Sequence, residues 1–293
     1  MRKLLAGIVV ACALVVGYST PASAITGNYV EDFEHPYVGL VVFYDESGVF
    51  MHRCSGSLLT PTVFLTAGHC TAGATTARVY FQQDAGANFD PVTQIDPVTG
   101  YPETCARGTL GRLCATSNEL YNFGFNDFAD FPNTRDAGIV ILDQRIRLSE
   151  YGSLATAGSL DRLATKRGQQ NLTFTASGYG LTESNPVHVT SFRERLMAES
   201  RLTNLNNALT SGYNLQTNGN GAGRGGTCSG DSGGPVFYGN FPSNTIVAVT
   251  SFGLNQWCRG VDFSFRTDTL AVINWIESVV GADRFARIDF VEI

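Results

Sequence analysis

The run Gly230-Asp231-Ser232-Gly233-Gly234-Pro235 sets a serine hydroxyl among glycines, where backbone N–H groups are free to turn toward a reacting oxygen. A nucleophilic serine requires that setting. Read alone, the run also fits the G-x-S-x-G elbow of α/β-hydrolases, and its G-D-S core fits another esterase class. Both draw their histidine from downstream of the serine. The histidines here are His35, His52, His69 and His188, all upstream of Ser232, so chain order excludes both readings. The surviving order is histidine, aspartate, serine. His69 lies in Thr66-Ala67-Gly68-His69-Cys70, after the apolar run Val63-Phe64-Leu65, and Asp136 lies just before the apolar stretch Gly138-Ile139-Val140-Ile141-Leu142.

These three segments, in register and in this order, resemble the chymotrypsin/trypsin family of secreted serine endopeptidases. The likeness runs from Ile25 to the terminal helix, although the stretch between His69 and Asp136 is longer than the family usually carries. The resemblance implies an all-β fold of two six-stranded antiparallel β-barrels with a C-terminal helix. The expected division is a leader at 1–24, a first barrel at 25–150 and a second barrel with the helix at 151–293. It also implies a monomer that acts on protein or peptide substrates without cofactor or metal.

By the same resemblance, Ser232 attacks the peptide carbonyl, His69 moves its proton and Asp136 orients the imidazole; this is the family's own triad logic, carried over to these positions. The N–H groups of Gly230 and Ser232 form the oxyanion hole. Ser251-Phe252-Gly253 resembles the family's S-W-G segment, with Phe252 in place of tryptophan; its serine supports the aspartate and its backbone pairs with an extended substrate. Gly226, Thr227, Ser251, Phe252, Gly253 and Gly260 are the expected substrate-binding residues.

Six positions before Ser232, where trypsin-like members carry an aspartate, this chain has Gly226, which favours a large apolar or aromatic substrate side chain. Asp262 keeps a second expectation open: if it points into the pocket, basic residues are preferred. A catalytically silent binding protein on the same scaffold is the rival from another class. Family zymogens are cut before an apolar residue whose new amine pairs with the acid preceding the nucleophile. Ile25-Thr26-Gly27-Asn28 resembles that start, and Asp231 is the matching acid. Because Ala24 precedes Ile25, removal of the leader is expected to expose the amine directly.

Composition agrees with a secreted β protein. Of 293 residues, 43% are hydrophobic and 16% charged, and the net charge of −6 gives no support to nucleic-acid binding. Arg2-Lys3, the apolar run from Leu4 to Val16, and Ala22-Ser23-Ala24 have the three parts of a secretory signal peptide, too short in its apolar part to span a membrane comfortably. Val9-Val10-Ala11-Cys12 loosely resembles a lipoprotein box but falls too early in the apolar region. Without Cys12 the cysteine count is even, which in a secreted chain points to disulfides. The resemblance pairs Cys54 with Cys70 and Cys228 with Cys258, leaving Cys105 with Cys114.

Apolar runs bounded by Gly, Pro, Asn and Asp predict strands at 38–43, 57–59, 78–81, 138–142, 172–176, 236–238 and 246–249. The stretch 84–130 reads as surface loops with strand fragments, and 203–226 as flexible walls near the site. Asp268 is expected to cap a helix with Leu270, Ile273, Ile276 and Val280 on its apolar face, stopped by Gly281. By the resemblance, His52 is a structural histidine near the acid before the nucleophile, whereas His35 and His188 read as surface residues. Asn171-Leu172-Thr173 is a glycosylation sequon if the source uses that pathway.

Overall fold

The computed structural model describes residues 25–85, 105–164, 171–187, 189–190 and 193–293. The leader with Cys12, part of the long insertion, and His188 lie outside them. Among the described residues no helix is long and apolar enough to cross a membrane.

The chain forms two β-barrels. In the first, the hydrogen-bonded order is 119–122, 138–141, 63–66, 50–58, 38–44, 76–80, 114–117. The two outer segments, Glu119–Asn122 and Cys114–Ser117, are separated only by Asn118, so they act as one bent strand that closes the ring at six. Each strand of this ring pairs antiparallel. In the second, strands 235–238, 173–178, 196–204, 214–218, 261–266 and 245–253 follow one another, and a further 235–238 to 245–253 pairing closes a second six-stranded ring. Closure leaves neither ring an open edge.

The strands that apolar runs miss are instructive. Asn214–Asn218, expected as part of a flexible wall, is a mostly buried strand between 196–204 and 261–266. Its polar residues find partners inside: Asn214 donates to the Pro132 carbonyl at 2.8 Å, and Gln216 accepts from Asn207 at 2.8 Å. A buried polar group that is hydrogen-bonded costs little, so the strand needs no hydrophobic pattern.

Each end of the chain crosses to the other barrel. Tyr29–Glu31 pairs with Leu196–Ala198, and Thr26–Gly27 with Gly225–Gly226, so the N-terminal segment lies on the second barrel. Ile25 is fully buried in that barrel's core with Phe174, Leu196 and Val247. At the other end, helix Leu270–Val280 buries Val272, Ile276 and Val280, and Trp275 meets Phe123 of the first barrel at 5.2 Å. Its face is rotated from the expected one: Leu270 is exposed and Val272 buried. The cap is Thr269, which accepts from the Val272 N–H, because Asp268 is already committed to Arg266 and to the Leu160 N–H. Gly281 terminates the helix as expected, with φ +79°.

All three disulfides are present: Cys54–Cys70, Cys105–Cys114 and Cys228–Cys258.

Candidate active site

Two neighbouring strand ends bring His69 and Asp136 together. Strand Val63–Thr66 pairs antiparallel with Gly138–Ile141, with Thr66 opposite Gly138. The chain leaving one strand and the chain entering the other therefore run side by side, three residues after Thr66 and two before Gly138. Contact at Gly138 is tight enough that a Cβ there would sit 2.5 Å from the Ala67 carbonyl oxygen. His69 lies in the single helical turn Gly68–Thr71, pinned from behind by the Cys54–Cys70 bond.

Asp136 is fully buried. Its Oδ1 accepts the His69 backbone N–H at 2.7 Å, and Oδ2 lies 2.9 Å from His69 Nδ1. Ser251 donates its hydroxyl to the same Oδ2 at 2.5 Å. With Nδ1–H directed at the carboxylate, Nε2 is left as the acceptor facing the cleft.

Ser232 stands on the loop that packs against the same strand end. A Cβ at Gly233, where φ is +77°, would lie 2.1 Å from Thr66 Oγ1 and 2.6 Å from the Ala67 nitrogen, so only glycine allows this approach. Ser55 N–H donates to the Ser232 carbonyl and Ser55 Oγ to the Gly230 carbonyl, both at 2.8 Å. Inside the loop, the N–H groups of Asp231, Gly233 and Gly234 are spent on Cys228, Thr250 and Asp231 carbonyls. Among the described residues, the N–H groups of Gly230 and Ser232 have no internal acceptor, which is the state an oxyanion hole requires.

No hydrogen bond joins Ser232 Oγ to His69 among the described residues. Ser232 lines one cavity of about 350 Å³ and His69 another of about 700 Å³, and the two meet at Ser251 and Phe252. Catalytic hydrogen bonds are often long without substrate.

The cavity beside Ser232 is walled by Thr227, Cys228, Ser251, Phe252 and Gly253, with Asp262 among its lining residues. Gly226 and Gly260, expected in this wall, instead line an adjoining cavity of about 580 Å³ that shares Cys258, Arg259 and Asp262 with it. The Asp262 Oδ2 would be 2.7 Å from a Cβ on Gly226 and accepts the Thr227 N–H at 3.0 Å. Burial pushes its carboxyl up to about 6. Asp262, on strand 261–266, thus lines both cavities.

Asp231 is buried beside the nucleophile, accepting the N–H groups of Gly180 and Cys228 at 2.8 and 2.9 Å. Burial raises its carboxyl to about 7. Ile25 is here an internal residue, so its nitrogen carries no charge to offer Asp231. His52 does not pair with Asp231; its Nε2 lies 2.8 Å from the Cys70 carbonyl oxygen and burial lowers its pKa. His35, expected at the surface, is buried, with Nδ1 2.9 Å from Asp32, Nε2 3.1 Å from the Ser243 carbonyl oxygen, and its ring stacked on Phe237. The nearby Asp32 was its overlooked signal.

Cys54, His69 and Cys70 present ligand atoms within 4.8 Å of one another. Both sulfurs are spent in the disulfide, so the cluster is a strut for the histidine. Sequence reasoning also missed Phe125 and Phe128, which line the His69 cavity; the Phe125 ring lies 5.8 Å from His69, and Phe128 meets Phe252 at 5.4 Å. The aromatic spacing just ahead of Asp136 was the available hint.

The family profile described as Trypsin matches residues 25–276. Trypsin zeta of Drosophila erecta is 26% identical over 231 residues, 74% of this chain and 73% of that protein. Brachyurin of Leptuca pugilator is 25% identical over 236 residues, 79% of this chain and 89% of that protein. In fold, the chain is similar to HL collagenase, with a TM-score of 0.60 at 18% identity, covering 88% of this chain and 98% of that one. It is similar also to a scabies mite inactivated protease paralogue, with a TM-score of 0.58 at 13% identity, covering 88% and 97%.

Proposed function

The chain belongs to the trypsin family of serine proteases, and from that premise we propose that it is an active, secreted, monomeric serine endopeptidase. The observation that carries the reading is the Asp136–His69 pair set beside a serine loop with two unspent amides. Ser232 Oγ attacks the peptide carbonyl while His69 Nε2 takes its proton. The carbonyl oxygen gains charge and moves onto the Gly230 and Ser232 amides. His69 then gives its proton to the leaving amine, and water repeats the cycle on the acyl-enzyme. Asp136, buried and tied to Ser251, holds the tautomer and offsets the imidazolium charge.

The position of Asp262 supports the second specificity expectation, a preference for Lys or Arg as the residue whose carbonyl is cut (P1). Gly226 places no side chain beside the Asp262 carboxylate, which is held by the Thr227 N–H and side chain. Residues 1–24 serve as the secretory leader in this reading. Its removal before Ile25 supplies the amine that pairs with Asp231, and a division near residue 150 separates the barrels.

A silent binding protein remains the second reading, favoured by the missing Ser232–His69 hydrogen bond and by the inactivated paralogue among the fold neighbours. A serine-directed phosphonate separates the two. The mature protein should be labelled and should cleave peptides, with turnover lowered on the order of 10⁵–10⁶ in Ser232→Ala. An unlabelled, folded wild type would refute the protease.

A further inference from the structure

Three strands of chain meet behind the pocket beside Ser232: the N-terminal segment, the segment ending at Gly226, and the segment around Cys258. Backbone pairing accounts for only one of the junctions. Thr26 and Gly27 register against Gly226 and Gly225, and Asn28 N–H donates to the Arg224 carbonyl at 2.8 Å. Approach is close there, since a Cβ at Gly27 would sit 2.8 Å from the Arg224 oxygen. Those bonds would form with almost any residue at position 26.

The Thr26 side chain does something the backbone does not. Its hydroxyl donates to the Cys258 carbonyl at 3.1 Å and lies 3.5 Å from the Gly226 carbonyl. One hydroxyl hydrogen serves one carbonyl, so the side chain ties Cys258 to Thr26, whose backbone is already paired with Gly226, next to the pocket residues Thr227 and Cys228. Cys258 needs such support, because it holds a left-handed backbone with φ +54°, which is costly for a residue with a side chain. Its other ties are the bond to Cys228 and its own N–H to the Asn255 carbonyl at 2.9 Å. Cys258 lines the cavity that holds Ser232, and Asp262 follows four residues on.

Resting on the protease reading above, we infer that Thr26 is a positioning residue for substrate specificity: its hydroxyl locks the Cys258 wall against the Gly226 wall and so fixes where Asp262 presents its carboxylate to the P1 side chain. Thr26 touches neither the scissile bond nor Ser232. Its effect passes through wall spacing, so it falls on recognition of the P1 side chain and spares the proton transfers at His69.

The test compares the wild type with Thr26→Val, which keeps the β-branched shape and loses the hydroxyl, and Thr26→Ser, which keeps the hydroxyl. All three are produced from the full chain and assayed on matched peptide anilides ending in Arg or in Phe. Labelling is measured with a phosphonate fluoride that has no P1 side chain. Thr26→Val should raise KM for the Arg substrate about 3- to 10-fold, the range expected for one hydrogen bond, with kcat and the labelling rate within about twofold of wild type. Thr26→Ser should restore KM. An unchanged KM in Thr26→Val overturns the inference, as does an equal loss on both substrates and on labelling, which would mark a general defect of the N-terminal segment. If the wild type neither cleaves nor labels, the protease reading itself fails, and the inference falls with it.

Discussion

Acidifying the assay from pH 7 to pH 5 should cost the enzyme most of its preference for Arg over Phe at P1. Asp262 is only 8% exposed, lines the cavity beside Ser232, and has its carboxyl raised to about 6 by burial. A carboxyl with that value is roughly 90% ionised at pH 7 and roughly 10% at pH 5, so an attraction that depends on its charge weakens about ninefold. The quantity to measure is the ratio of kcat/KM for two peptide anilides that differ only at P1. Both substrates use His69 and Ser232 alike, so titration of the catalytic groups cancels in the ratio, and what remains reports the free enzyme's pocket. In Asp262→Asn the ratio should be low and flat across the range. The same burial has a stability consequence. The folded state binds the Asp262 proton more tightly than the unfolded chain, so between pH 4 and 6 stability falls as pH rises, and Asp262→Asn should be at least as stable as wild type at pH 7. A ratio that does not move between pH 5 and pH 7, or one that still moves in Asp262→Asn, would refute the assignment of Asp262 to the P1 pocket.

Two further predictions follow from the way the site is built. A form carrying one extra residue before Ile25 should fold and melt like the mature enzyme yet show a large loss of kcat/KM, because a displaced amine cannot reach Asp231 in its buried position. In the mature form the pair should raise the amine above its reference of about 8, so activity should fade as pH climbs through the raised value; full activity in the extended form would refute the pairing. Gly138→Ala should push strand 138–141 away from Ala67, since the added methyl meets the Ala67 carbonyl oxygen at 2.5 Å and Thr71 Cγ2 at 2.9 Å. Loss of a few kcal/mol in chemical denaturation, with kcat falling more than KM rises, is the expected result; a variant matching wild type in both would show that the His69–Asp136 register does not depend on that contact.

Chain order and local composition were enough to single out His69, Asp136 and Ser232 as candidates, because each sits in a short motif of glycines or flanking apolar strand, whereas the cysteine pairs followed from the family resemblance. The apolar runs likewise announced most of the first barrel. They failed at Asn214–Asn218, a strand whose polar Asn214 and Gln216 find partners in the loops at Pro132 and Asn207, and at His35, whose neighbours Ser243 and Phe237 are distant in sequence. The helix face was misjudged for a similar reason: which side of 270–280 is buried depends on Phe123 of the first barrel, far away along the chain.

The sequence by itself determined the family, through three motifs in order, with the two-barrel fold that this resemblance implies, and it named the candidate reacting groups His69, Asp136 and Ser232. Only the tertiary structure decided which side chains line the cavity beside Ser232. Asp262 lines the cavity beside Ser232 because strand 261–266 pairs with 245–253 in a register that sets it opposite Gly253. Register between strands is fixed by which face the barrel buries, which no local stretch of sequence encodes.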